Sequence, residues 1–169
     1  MGFAAELHPK ESLTVNAGES LPLLERRRIE AGVLVPLIRA MQAEFGAERV
    51  AEVVARTIRE IARAQGEADR ARMHVASLAD VAARLRQGPL GEGSLIVDVL
   101  EEDADRFAFN VTRCKFREMY EEMGAADLGY LLSCNRDFAY FQGLAPGMAF
   151  GRTRTLMEGA GSCDFRYSR

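Results

Sequence analysis

The stretch Leu95-Ile-Val-Asp-Val-Leu-Glu-Glu-Asp-Ala-Asp-Arg-Phe-Ala-Phe-Asn-Val-Thr-Arg-Cys114 decides the fold. Its opening residues are aliphatic and β-branched, Glu102 to Asp105 is a polar turn, and Arg106 to Cys114 alternates apolar with polar. Successive side chains on a strand point to opposite faces, so the pattern predicts two antiparallel strands joined by a short turn. Upstream of Leu95 the apolar residues recur at helical spacing instead. That switch predicts helices first and sheet afterwards.

Working back toward the N-terminus, Ile29, Val33, Leu37, Met41 and Phe45 recur every four residues and predict a helix over 23–45. Pro36 removes a backbone donor inside it and predicts a kink, and Gly46 ends it. Val50, Val53, Val54, Thr57, Ile58 and Ile61 form one face of a second helix over 47–65, with Glu52, Arg56, Arg59, Glu60 and Arg63 covering the rest. A polar stretch around Gly66 follows. Ser77-Leu-Ala-Asp80 has the form of a capping box and opens a third helix over 77–87, closed by Gly88-Pro89.

Downstream of the first hairpin, helices are expected over 115–123 and 127–142, with Gly124 between them. Gly143-Leu-Ala-Pro-Gly147 breaks the chain, and Met148–Met157 with Ser162–Tyr167 reads as a second hairpin. The order helices, hairpin, helices, hairpin predicts an α+β fold, its N-terminal helices packed beside a C-terminal, mostly antiparallel sheet. Residues 1–20 read as a loose arm. Residues 21–169 read as a single domain, with a helical part over 21–90 and a sheet part over 91–169 that carries the site.

A chain of 169 residues is long enough to bury a core. Its formal net charge of −3 offers no broad basic field to nucleic acid or an anionic membrane. Arg26-Arg27-Arg28 falls inside a helical pattern and reads as a solvated face. No apolar run approaches the roughly 20 residues that span a bilayer. Met1-Gly-Phe-Ala-Ala-Glu6 lacks the basic start of a signal peptide and the Ser or Thr of a myristoylation signal. A cytoplasmic protein is expected, acting on a small molecule, with no nucleic-acid or membrane partner; a homo-oligomer is compatible with the composition. The three cysteines, Cys114, Cys134 and Cys163, are widely spaced with no C-x-x-C, so free thiols are expected.

The chemistry-bearing residues cluster in the second half. On the strand ending at Cys114, alternation sets Asn110, Thr112 and Cys114 opposite Phe107, Phe109 and Val111, giving a row of amide, hydroxyl and thiol. The plainer reading is a solvated face ending in a small buried cysteine. Cys134 and Asp137, three apart on a predicted helix, share a face close to Phe138 and Phe141. Apolar rings disfavour the charged carboxylate and a nearby arginine favours it. The plainer reading here is a core cysteine and an Asp paired with Arg136, Arg152 or Arg154.

In the terminal strand Cys163, Phe165 and Tyr167 share a face opposite Asp164. Arg152 and Arg154 alternate with Thr153 and Thr155 in the strand before it, either to clamp a carboxylate or to keep an edge strand soluble. The histidines, His8 and His74, lie away from the thiols, which argues against a Ser-His-Asp triad, a Cys-His dyad and a His-rich metal site. No phosphate loop or dinucleotide fingerprint is present.

Asn110-Val-Thr-Arg-Cys114, Asp127-Leu-Gly-Tyr130, Cys134-Asn-Arg-Asp137, Gly151-Arg-Thr-Arg-Thr-Leu156 and Cys163-Asp-Phe165, in this order and spacing, resemble the L-2-amino-thiazoline-4-carboxylic acid hydrolase family. The resemblance runs from about Glu25 to Tyr167. It implies hydrolytic opening of a cyclic, amidine-like thiazoline carboxylate to an S-carbamoyl cysteine product. The catalytic candidates are Cys114, Cys134, Asp137 and Cys163, and the substrate-binding candidates are Asn110, Thr112, Arg152, Thr153 and Asp164. Either a thiolate of Cys114 or Cys163 attacks, or Asp137 activates water. A third route has Cys114, Cys134 and Cys163 holding one zinc ion with water in the fourth position. No other cofactor is expected. The strand and helix order also looks similar to small-molecule-binding vinyl-reductase-type domains, which keeps a non-catalytic sensor as the alternative.

Overall fold

Helix begins where the helical apolar period begins. The computed structural model describes residues 21–169; the arm expected over 1–20, with His8, lies outside the described residues. α1 spans Leu23–Phe45, continues through Pro36, and stops at Gly46, whose φ of 87° suits a residue without a Cβ. α2 spans Ala47–Met73, running past the expected end at 65. α3 spans Leu78–Gln87 and opens on the capping box: the Ser77 hydroxyl accepts from the Asp80 N–H at 3.2 Å, and the Asp80 carboxylate accepts from the Ser77 N–H at 2.8 Å.

β1 spans Leu95–Glu102 and β2 spans Arg106–Cys114, paired antiparallel as expected. The turn between them is tied by Asp103, whose side chain accepts from the N–H groups of Asp105 and Arg106, both at 2.8 Å. α4 spans Lys115–Glu122. The single helix expected over 127–142 is instead three pieces: α5 over Ala126–Leu132, a 3₁₀ turn over Cys134–Arg136, and α6 over Asp137–Leu144. Ser133, distorted to φ −112° and ψ −70°, separates α5 from the 3₁₀ turn, and the buried Arg136 side chain donates to the Leu132 carbonyl at 2.9 Å. That bond satisfies a carbonyl at the end of α5.

β3 spans Ala149–Gly151 and β4 spans Cys163–Ser168. The strand expected over Met148–Met157 is therefore short, and a 3₁₀ turn over Leu156–Glu158 occupies part of its length. All pairings are antiparallel and the sheet order is β1-β2-β4-β3, so β2 and β4 join the two hairpins into one sheet.

One core lies under the inner sheet face, where Phe107, Phe109, Val111, Phe165 and Tyr167 meet α3 and α6. A second fills the helical layer, with Ala31, Ile38, Ile58, Met119 and Leu132 among its members. The stripe read on α1 turns outward: Ile29, Val33 and Leu37 are 60%, 66% and 50% exposed, while Ala31 and Ile38 take the core. α1 is apolar on both sides, so spacing alone does not select its buried face.

α2 and α6 meet at two glycines. A Cβ on Gly66 would stand 2.1 Å from the Tyr140 carbonyl oxygen, and one on Gly143 would stand 2.3 Å from the Arg63 carbonyl oxygen. The helices therefore touch backbone to backbone, which explains why α2 runs on through a residue of poor helix propensity. Gly66→Ala should cost about 1–3 kcal/mol in urea unfolding, because backbone rather than a side-chain tip must yield. Gly32→Ala, where nothing lies within 4 Å, should instead gain roughly 0.5–1 kcal/mol from helix propensity.

Candidate active site

The register of β2 sets the site. Ile96 faces Arg113 but Val97 faces Val111, so Thr112 is an extra residue on β2. Such a bulge inverts the alternation beyond it. Cys114 thus turns to the inner face, opposite Leu95, both packed against the core under the sheet. The row expected from Asn110, Thr112 and Cys114 is broken there. Val111 also pairs with the inward Cys163 on β4, so the bulge turns Cys114 and Cys163 to the same face of the sheet.

The outer face of the sheet carries a different set. Asn110 lies opposite Asp164 on β4 and accepts from Arg166 at 2.8 Å. Asp164 receives the Thr153 N–H at 2.9 Å, the Thr153 hydroxyl at 2.7 Å and the Arg154 N–H at 2.9 Å. Partial burial works against its charge, yet these three donors hold its carboxyl below the usual carboxylate range. Its oxygens anchor the chain after β3.

That anchor positions Arg152. The chain leaves β3 at Gly151, and the Arg152 guanidinium turns inward, donating to the Asp137 carboxylate and, at 3.3 Å, to the Cys134 carbonyl. It also lies 5.6 Å from the ring centroids of Phe138 and Phe165 and 5.9 Å from that of Tyr130. Its side chain is only 2% exposed, whereas Asp137 keeps 33% of its side-chain surface accessible. Asp137 is deeply set but not sealed. Burial pushes it up to about 6, although Arg152, and beyond it Arg136 and Arg27, pull it down. Among the described residues Arg152 is the one side chain that donates to it.

Cys114, Cys134 and Cys163 lie near enough to Asp137 for their charges to act on one another. Burial pushes Cys114 up to about 11, against the pull of the Arg117 and Phe116 amides. Burial raises Cys134 as well, reinforced by Asp137, and raises Cys163, whose sulfur accepts the Leu156 N–H at 3.1 Å. The thiols are neutral near pH 7. Among the described residues no three His, Cys, Asp or Glu side chains gather closely enough to hold a metal ion.

Cys114 and the bulge residue Thr112 line an open recess of about 240 Å³ together with Arg113, Arg117, Glu118, Glu121 and Leu156. Arg113 pairs with Glu118 and Arg117 with Glu121, each at 2.7 Å. Sequence reasoning missed this rim. The signal available was Arg113 beside Cys114, but only the bulge and the start of α4 show which way those side chains turn.

The profile of the L-2-amino-thiazoline-4-carboxylic acid hydrolase family matches residues 26–167. The chain belongs to that family. Among curated proteins none matches it. Among solved structures it is similar to the phenol-responsive sensory domain of the transcription activator PoxR, determined with phenol. The identity is 14%, the match covers 84% of this chain and 73% of that chain, and the TM-score is 0.49. Among the described residues no helix is long and apolar enough to cross a membrane.

Alkylation of the folded protein should be slow at neutral pH and reach Cys114 before the buried Cys163. The rate at Cys114 should rise with a midpoint near 11, as read by mass spectrometry of peptides across a pH series. A midpoint below the ordinary thiol value would contradict the environment described.

Proposed function

We propose that the chain opens a small cyclic amidine- or amide-like carboxylate by hydrolysis, with Asp137 handling the protons. The observation that carries this reading is the Asp137–Arg152 pair, set among three aromatic rings and three thiols with part of the carboxyl still accessible. The family to which the chain belongs is named for hydrolysis of a thiazoline carboxylate, a ring whose reacting carbon lies between nitrogen and sulfur.

In this reading Asp137 takes a proton from water as the water oxygen bonds to that carbon. The carbon–nitrogen π pair moves to the ring nitrogen, which takes that proton from Asp137. The added hydroxyl then gives its remaining proton to Asp137 as its oxygen forms the carbonyl. The ring carbon–nitrogen bond breaks with its electrons passing to nitrogen, and Asp137 delivers the second proton there. One water is consumed and nothing is oxidised or reduced. A carboxyl poised near 6 is ionised enough at neutral pH to act as base and basic enough to make proton transfer favourable. Thiolate attack is the weaker route, since all three thiols are raised. Cys114 instead lines the recess that receives the ring, where Thr112 is available for hydrogen bonding and Arg117 for the substrate carboxylate. Arg152 keeps Asp137 ionised and oriented.

The test is turnover of cyclic amidine carboxylates with a pH profile. Activity needs the Asp137 carboxylate, so it should fall as pH drops through about 6. Asp137→Asn should abolish it. Arg152→Gln removes the cation that lowers Asp137, so residual activity should be lost at a pH about 1–3 units higher. A chain that binds such compounds without turning them over would sink the hydrolase reading in favour of a ligand-binding sensor.

A further inference from the structure

The outward face of α1 has a composition that a solvated helix does not need. Arg26, Ile29, Val33, Leu37, Ala40 and Glu44 are spaced three and four apart and lie on one line along the helix, all exposed. The line covers about 27 Å of helix axis at 1.5 Å per residue. Its interior is apolar, with Val33 the most exposed large apolar residue in the described chain. Its two ends carry opposite charges, and among the described residues neither Arg26 nor Glu44 takes part in an ion pair. The other side of α1 is already engaged. Arg28 reaches Glu122 of α4 at 3.2 Å, and Arg39 grips Asp127 of α5 at 2.6 Å and 2.7 Å.

We propose that this face is where a second copy of the chain docks, α1 against α1, antiparallel about a two-fold axis between Val33 and Leu37. A two-fold interface must be complementary to itself. This stripe is: reversing the helix sets Val33 against the partner's Leu37 and Arg26 against the partner's Glu44, and symmetry makes both contacts twice. A parallel pair would set Arg26 against Arg26 and Glu44 against Glu44, which like-charge repulsion disfavours. The stripe therefore selects both its occupant and the direction in which it lies. A membrane surface or an unrelated helix fits less well, because neither needs one charge of each sign at opposite ends.

Sedimentation equilibrium of the full chain over a concentration series reads the result. A reversible dimer is expected, and joint Val33→Glu and Leu37→Glu should abolish it while the helical circular dichroism stays unchanged. Arg26→Glu alone should weaken the dimer about tenfold or more, and so should Glu44→Arg alone; combining the two should restore it. Among the described residues Arg26 and Glu44 make no ion pair, so either change should leave the fold intact. A full chain that is monomeric throughout the series overturns the proposal, and so does a dimer indifferent to Val33 and Leu37. Failure of the double charge exchange overturns the antiparallel register. Dimerisation that appears only after residues 2–20 are removed would mean that this segment, rather than a second copy, occupies the face in the full chain.

Discussion

Everything around Asp137 depends on two helices approaching closer than side chains permit. Gly66 and Gly143 let α2 and α6 meet at their backbones, with carbonyl oxygens where Cβ atoms would otherwise stand. An ordinary helix pair keeps its axes about 8–10 Å apart. Closer contact carries α6 deep enough for its first residue, Asp137, to lie beneath the surface while Phe141 and Leu144 enter the core under the sheet. Further contacts hold the same crossing. Tyr140 donates to Asp69 of α2 at 2.6 Å, and Arg63 of α2 donates to Gln142 at 2.8 Å. A carboxyl at the start of a helix is favoured by the helix dipole, so the position that buries Asp137 also offers its charged form partial compensation.

The second constraint is electrostatic. One guanidinium, almost wholly enclosed, is paired with one carboxylate that has three thiols in its neighbourhood. Any thiolate formed there would add a negative charge beside Asp137 in surroundings that already disfavour charge, and Asp137 in turn raises all three thiols. The site thus holds a single negative charge comfortably, and geometry assigns it to Asp137. Arg152 reaches that carboxylate because Asp164, on the opposite sheet face, fixes the two residues that follow Arg152. Asp164, read from the sequence as a substrate-binding candidate, is also part of the scaffold that aims the cation.

How much of this was legible in the sequence varies with the range of the interaction. α1, α3, α4, the first hairpin and the Ser77–Asp80 cap follow from local periodicity and local hydrogen bonding and stand where expected, while α2 runs on past its expected end at 65. The grouping of Cys114, Cys134, Cys163 and Asp137 was legible as motifs but not as geometry. The orientation of Cys114 turns on one bulge residue, Thr112, which strict alternation cannot reveal. The break at Ser133 was hidden because an apolar run through 127–142 satisfies a continuous helix equally well. β3 is cut short by Asp164, a contact across eleven residues. On α1 two apolar faces compete for one core, and only the tertiary arrangement shows which wins.

These facts bear on what a substrate carboxylate does on arrival. Arg152 is already engaged: it donates to Asp137 and the Cys134 carbonyl, with aromatic rings about it. If the substrate took that guanidinium, Asp137 would lose the cation that lowers it and would protonate, leaving no base. Under the proposed function the substrate carboxylate would then be met elsewhere. The recess at Cys114 is rimmed by Arg113 and Arg117, whose present partners, Glu118 and Glu121, are surface residues held by pairs of little net worth. Exchanging such a partner for a substrate anion costs little, whereas dismantling the buried pair costs a great deal. The proposed function then implies a division of labour: the exposed arginines would meet the ligand, and the enclosed one would stay with Asp137.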